Sequence, residues 1–268
     1  MRVRNQHQIH IVVLLVLLGL VTTLTACGPN ISFGGVTFGH QRTPQPIITV
    51  ANQEPVQRAR SSENWGGYAV TTTNVTGVSA SWQVPQVTNP STSDSSTWVG
   101  IGGMFSSSLI QAGTDQQIQH GHPFYYAWIE LLPAAPQPLT GIDILPGDTV
   151  SVTITNLQSD QWQIVFQNID SKQSSTKTVT YNSCRCSAEW IEEVPSVKGQ
   201  QTLLADFTSI TFKNATATIN SLSGQINTLK PRAIRMIDAT GQVVLQPQVI
   251  HGDSFSVVDL GGGGSLGK

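Results

Sequence analysis

Between residues 61 and 260 the apolar positions fall into short runs rich in Val, Ile, Thr, Trp and Phe, spaced about every 8 to 15 residues and bounded by Gly, Pro, Asn and Ser. "GYAVTTT", "VSASWQVP", "STWVGIG", "LIQAGT", "FYYAWIELLP", "DTVSVTITNL", "QWQIVFQNI", "KTVTYN", "SAEWIEEV", "SITFKNATATI", "AIRMID" and "SFSVVDL" are such runs. The stretch "LPGDTVSVTI" shows the local logic: Pro146, Gly147 and Asp148 predict a turn, after which Val150, Val152 and Ile154 alternate onto one face. About a dozen strands with scarcely a helical window predict an all-β fold, a β-sandwich of two antiparallel sheets packed face to face. No fixed-period repeat supports a propeller or solenoid.

The ends of the chain break this pattern. Residues 28–60 hold Gly28, Pro29, Gly34, Gly35, Pro44, Pro46 and Pro55 and a basic pair, Arg58 and Arg60, with no sustained period of two or 3.6; they read as a flexible tether or pro-segment. Residues 261–268 form a Gly-rich tail. At the start, Arg2 and Arg4 precede an apolar run over residues 11–21, too short to span a bilayer core of about 30 Å but suited to a signal peptide. Leu24-Thr25-Ala26-Cys27 then resembles a bacterial lipobox. Residues 1–27 are therefore expected to be a lipoprotein signal peptide. A lipidated Cys27 would hold the protein at the outer face of a membrane, with a plain signal peptide or an anchor helix as the alternatives.

Charge changes the list of partners. Charged residues make up 11% of the chain and the formal net charge is −2. Removing residues 1–27 deletes two arginines and no acid, leaving 12 bases against 16 acids, or −4, so nucleic acid is excluded as a partner. A membrane, through Cys27, is an expected partner, and a monomer is favoured. The two remaining cysteines, Cys184 and Cys186, would pair in an oxidising compartment only through a local turn, and staying reduced is the alternative. No second Cys-x-Cys or nearby histidine pair completes four ligands, so a metal site is not expected there.

Candidate chemistry is confined to carboxylates. The chain lacks Gly-x-Ser-x-Gly, glycine-rich phosphate loops and His-Glu-x-x-His, and "QHGHPF", with His120 and His122, reads as a turn. No cofactor or metal is implied. Glu189, Glu192 and Glu193 cluster in "CRCSAEWIEEVP". On an extended strand Glu189 and Glu193 share one face and Glu192 takes the other. Four residues of strand put Glu189 and Glu193 about 13 Å apart at the backbone, whereas a glycosidase dyad needs about 5 to 9.5 Å. Glu189 needs a partner from another strand.

Taken in order, "NWGGYAV" (64–70), "SWQVPQV" (81–87), "STWVGIGG" (96–103), "LIQAGTD" (109–115), "YYAWIELLP" (125–133), "SAEWIEEV" (187–194) and "FTSITFKNATA" (207–217) resemble the glutamic peptidases, the eqolisin family. The resemblance implies a concanavalin A-like β-sandwich and a catalytic Gln and Glu, which fall on Gln111 and Glu189. It also implies a supporting glutamate at Glu130 and groove tryptophans at Trp65 and Trp98. Asp115 is expected to tie down a turn after Gln111. Three departures stand out: Gly102 where the family usually has an acid, Tyr126 where an Asp commonly precedes Ala-Trp, and Leu131 and Leu132 in place of aromatics.

The activity the resemblance implies is an acid endopeptidase, with a polypeptide substrate as its partner. Glu189 as carboxylate would take a proton from water and later pass it to the leaving nitrogen, while the uncharged Gln111 amide would hold the oxyanion. A free Glu titrates near 4.3, which sets the expected activity at roughly pH 2 to 5. The rival readings are a silent sandwich binding carbohydrate or peptide through its aromatic groove, and a glycosidase.

Overall fold

A computed structural model describes residues 59–88, 91–197 and 200–261, together with two-residue strands at Ser32–Phe33 and Val36–Thr37. The expected signal peptide, Cys27, most of the tether and residues 262–268 lie outside the described residues.

Two layers form the predicted sandwich. The back sheet runs in the order Gln173–Thr180, Gln161–Asn168, Thr149–Gln158, Val75–Gln83, Ser209–Ile219. The front sheet runs Phe255–Asp259, Val243–Pro247, Arg232–Ile237, Trp65–Thr71, Ser187–Glu193, Ser93–Gly102, Leu109–Gln119, His122–Leu131, Gln137–Pro138. Every pair in these two orders is antiparallel, and the short strand Arg60–Ser62 lies parallel to Arg232–Ile237.

The sheets are not separate, as two packed sheets would be. Ser209–Ile219 belongs to both: residues 209–212 pair with Phe255–Asp259, whereas residues 213–219 pair with Val75–Gln83. The register shifts between Lys213 and Thr216, where Asn214 takes a φ of 52°. A bulge bends and twists a strand, which is how one strand passes from layer to layer.

Packing explains why one sheet was easy to read and the other was not. In the back sheet Val150, Val152 and Ile154 point inward against Trp162, Ile164 and Phe166, while alternate Ser, Thr and Gln positions are wetter. Each large apolar side chain so buried contributes about 1.5 to 3 kcal/mol. In the front sheet the inward positions, among them Val99, Ile101, Ile110, Ala112 and Trp190, join the same core. Its outer face carries a second apolar cluster of Trp65, Ala69, Trp98, Met104, Leu109, Tyr126, Trp128, Leu132, Ile191 and Ile234. Ser93–Gly102 and Ser187–Glu193 are consequently buried at every position, with no alternation left to see.

Candidate active site

The outer face of the front sheet brings the sequence-predicted pair into one row. Glu189 pairs with Gly100, Gly100 with Gln111, and Gln111 with Glu130, so four neighbouring strands each place one residue at the same level. Gln111 and Glu189 are two strand spacings apart, about 9 to 10 Å at the backbone. Between them runs the strand at Gly100, which has no side chain of its own and is overhung by Trp98 and Leu109. Glycine is required at this rung: a Cβ there would stand 2.9 Å from Trp98 Cζ3 and from Leu109 Cδ1. Gln111 Nε2–H donates to Glu130 Oε2 at 2.6 Å, which fixes the amide's orientation, while Gln111 Oε1 is buried with no partner. Glu130 is thus a buried acid bonded to Gln111, not an acid on the surface.

Glu189 is fully buried, and burial raises its proton affinity well above that of an ordinary glutamate. Ser187 Oγ and the Met104 backbone N–H face the carboxyl and oppose that rise, yet neither carboxyl oxygen has a well-aligned donor. The cover comes from the segment joining Gly102 to Leu109. Gly102 and Gly103 take φ of 95° and 93°, bringing Gly103 against Trp65 and Met104 over Glu189.

One level down the same face sit Trp98 and Trp128, and below them Trp65, Glu193, Asp115 and Tyr126. Glu193, which spacing set aside as too distant to pair with Glu189, has its own task. Its Oε2 accepts Trp98 Nε1–H at 2.7 Å and its Oε1 accepts Asn64 Nδ2–H at 3.3 Å. This holds Trp98 edge-on to Trp65, ring centroids 5.1 Å apart. The two tryptophans are buried on the candidate site's face and form its floor; they do not line an open groove. Sequence reasoning missed Glu193's role although parity had placed it on the correct face. The signal available was its i+4 spacing from Glu189, two levels along a face that Trp98 also occupies.

The Asp115 expectation needs correction. The strand runs unbroken from Leu109 to Gln119, so Asp115 ties down no turn; it is buried mid-strand and accepts a hydrogen bond from Tyr126 OH. His120 and Gly121, with φ of 51° and 79°, make the turn that "QHGHPF" predicted. Cys184 and Cys186 are disulfide-bonded through a local turn, Arg185 having a φ of 51°, immediately before the Glu189 strand begins.

The chain that carries this row of Glu, Gly, Gln and Glu is similar to known proteins. The sequence model of the Peptidase A4 family matches residues 63–258. The chain belongs to the Peptidase A4 family. It is 29% identical over 223 residues to aspergillopepsin-2 of Aspergillus niger, covering 73% of this chain and 77% of that protein. Its fold matches the crystal structure of scytalido-glutamic peptidase with a transition state analog inhibitor, at a TM-score of 0.67 and 24% identity, over 74% of this chain and 99% of that one. Aspergilloglutamic peptidase from Aspergillus niger matches at a TM-score of 0.57 and 29% identity, over 63% of this chain and 99% of that one. A glutamic endopeptidase acting on peptide bonds follows from that membership.

Within the Peptidase A4 family, the departures in this chain acquire physical reasons. Gly102 is more than a missing acid: its left-handed backbone would press a Cβ to 2.1 Å from the Ser108 carbonyl oxygen, so a side chain is refused by the conformation that starts the covering segment. Tyr126 supplies a hydroxyl to Asp115 where a second acid would repel it. Leu132 joins the apolar cluster on the site's face, and Leu131 packs against the main core.

Proposed function

We propose that Glu189 and Gln111 are the catalytic pair of this endopeptidase. The observation that carries the reading is their register: two residues on the same face at one level, separated by the side-chain-free rung at Gly100. A peptide carbonyl over that rung meets a carboxyl on one side and an amide donor on the other. Glu189 as carboxylate takes a proton from water as the water oxygen bonds to the carbonyl carbon. The free N–H of Gln111 holds the oxyanion, and the Glu189 proton then passes to the nitrogen as the C–N bond breaks. Glu130 accepts one of the two Nε2–H groups of Gln111, which leaves the second for that task. Burial raises the proton affinity of Glu189 in the closed, substrate-free site; entry of water and a peptide would relieve that desolvation and return the carboxylate toward the acid range of an ordinary glutamate.

The remaining parts complete the reading: residues 1–27 as a signal peptide, lipidated Cys27 as an extracytoplasmic anchor, residues 28–60 as the tether and 61–260 as the catalytic domain. Among the described residues no helix is long and apolar enough to cross a membrane.

The test is hydrolysis of denatured protein in acid by the full chain and by Glu189→Gln. Loss of about 10³-fold or more with an unchanged thermal melt is expected from a general acid–base residue, and cleavage at the wild-type rate would overturn the assignment. Polysaccharide hydrolysis by the same preparation would favour the glycosidase. Radiolabelled palmitate on the wild type but not on Cys27→Ala tests the anchor.

A further inference from the structure

The catalytic row continues past Glu189 to a cation. Ala69 pairs with Glu189, and Arg232 pairs with Ala69. In the neighbouring row, Arg60 pairs with Ile234 and Ile234 with Gly67, which places Arg60 beside Arg232 at the same end of the face. Neither guanidinium is ion-paired with a carboxylate among the described residues. They stand close enough that Arg232, after burial, helps lower the Arg60 proton affinity. Arg60 Nε is buried with no hydrogen-bond partner, and its guanidinium lies 4.8 Å over the ring of Phe105, which is itself 64% exposed. Phe105 belongs to the segment that covers Glu189 and carries no charged residue between Gly103 and Ser108. Glu63, the nearest acid in sequence, is exposed in the turn after Ser62.

Two like charges side by side, without a counter-ion, cost energy that an anion would return. The face is therefore polarised, with Glu130 at one end of the Glu189 row and, at the other, Arg232 and the neighbouring Arg60, neither of them ion-paired with a carboxylate among the described residues. We propose that Arg60 and Arg232 form a substrate subsite that takes a carboxylate, with Phe105 packing against the residue that bears it. A guanidinium matches a carboxylate with two parallel charge-assisted hydrogen bonds, a geometry a neutral amide cannot satisfy. Arg232 is about 14 Å from the Gly100 rung, three strand spacings. Allowing for the reach of an arginine side chain, an extended peptide places the matching residue two to four positions from the scissile bond, at about 3.3 Å per residue. This inference rests on the Glu189–Gln111 reading, since the row defines where the scissile bond lies.

The experiment uses the full chain and peptides with blocked ends that differ only in Glu or Gln, scanned over four positions on each side of the cleaved bond. At pH 5, kcat/KM is expected to favour Glu about tenfold at one position on one side, the size of a single charged hydrogen bond. The ratio should fall toward one in 1 M NaCl and in Arg232→Gln, and further in the double variant with Arg60→Gln. Because the readout is a ratio within one preparation, partial loss of folding does not imitate the effect. A Gln peptide with a free C-terminus separates a terminal carboxylate from a side-chain one. No Glu preference at any position, or a preference unchanged in Arg232→Gln and in the double variant, would overturn the subsite. If the catalytic assignment itself fails, the same peptide pairs are compared by binding to Glu189→Gln with a fluorescent label. That comparison needs no turnover, and equal affinity for Glu and Gln peptides would again overturn the subsite.

Discussion

Glu189 and Glu192 are three residues apart on one strand, both fully buried, and both hold their protons more tightly than a free glutamate because of burial. Parity sends them to opposite sides of the sheet. Glu192 lies between the layers, where Thr97 Oγ1–H donates to its Oε2 at 2.6 Å in a polar pocket that includes Ser95, Gln116, Thr114 and the Trp82 indole N–H. Glu189 lies on the outer face, with no well-aligned partner for either oxygen and a bare glycine rung between it and Gln111. A raised proton affinity is common to both, so it does not mark a catalyst. The difference is what faces the carboxyl: a hydrogen-bonded polar interior in one case, the segment from Gly102 to Leu109 and the row leading to Gln111 in the other.

Four substitutions break or sharpen this contrast. The largest effect belongs to Glu189→Gln, with about 10³-fold or more loss of kcat, set against Glu192→Gln, which should retain most of the wild-type kcat in the same acid assay. Next comes Gln111→Ala, for which removal of an oxyanion donor should cost about 10²- to 10³-fold in kcat with a smaller change in KM. Single-turnover kinetics on a chromogenic peptide would separate the two.

The third effect is on stability. Glu192 titrates near 4.5 when exposed and at about 8 in the fold, so the native state keeps a proton that the unfolded chain gives up. Its contribution is complete below pH 4.5 and is lost as pH rises to about 8, at up to about 1.4 kcal/mol per pH unit. Burial is the leading cause of the shift, opposed by the Thr97 and Ser95 hydroxyls and assisted by the charges of Asp115 and Asp259. Glu192→Gln should flatten urea-melt stability across that window, and a slope identical to wild type would show that other acids carry the effect. The smallest effect is expected from Thr97→Val, which removes a donor to a buried acceptor: about 1 to 3 kcal/mol of stability in a thermal melt, with kcat in acid unaltered.

The back sheet was legible because its outer face is wet, so Val150, Val152 and Ile154 alternate visibly with polar neighbours. The front sheet hid its length for the opposite reason. Asp115, Gln116 and Gln117 are buried by contacts on both faces, and a run of polar residues there imitates a turn. The strand Val243–Pro247 was also missed, being short and ending in proline. Gln111 and Glu189 were singled out through motif order, and Glu192 was assigned to the reverse face by parity alone; the register sets the first two at one level. The glycine rung, the covering segment over Glu189 and the Arg60–Arg232 pair depend on which strands lie side by side, a non-local register that local patterning does not contain.

The strand shared by both layers has a mechanical consequence. Two stacked panels resist sliding only through interlocked side chains, whereas this sandwich is a single cloth folded over at Ser209–Ile219. Load placed on the back layer passes into the front one through peptide hydrogen bonds. To shear the layers apart, the ladder must first tear, and the interrupted stitching between Lys213 and Thr216 is where the seam begins to open.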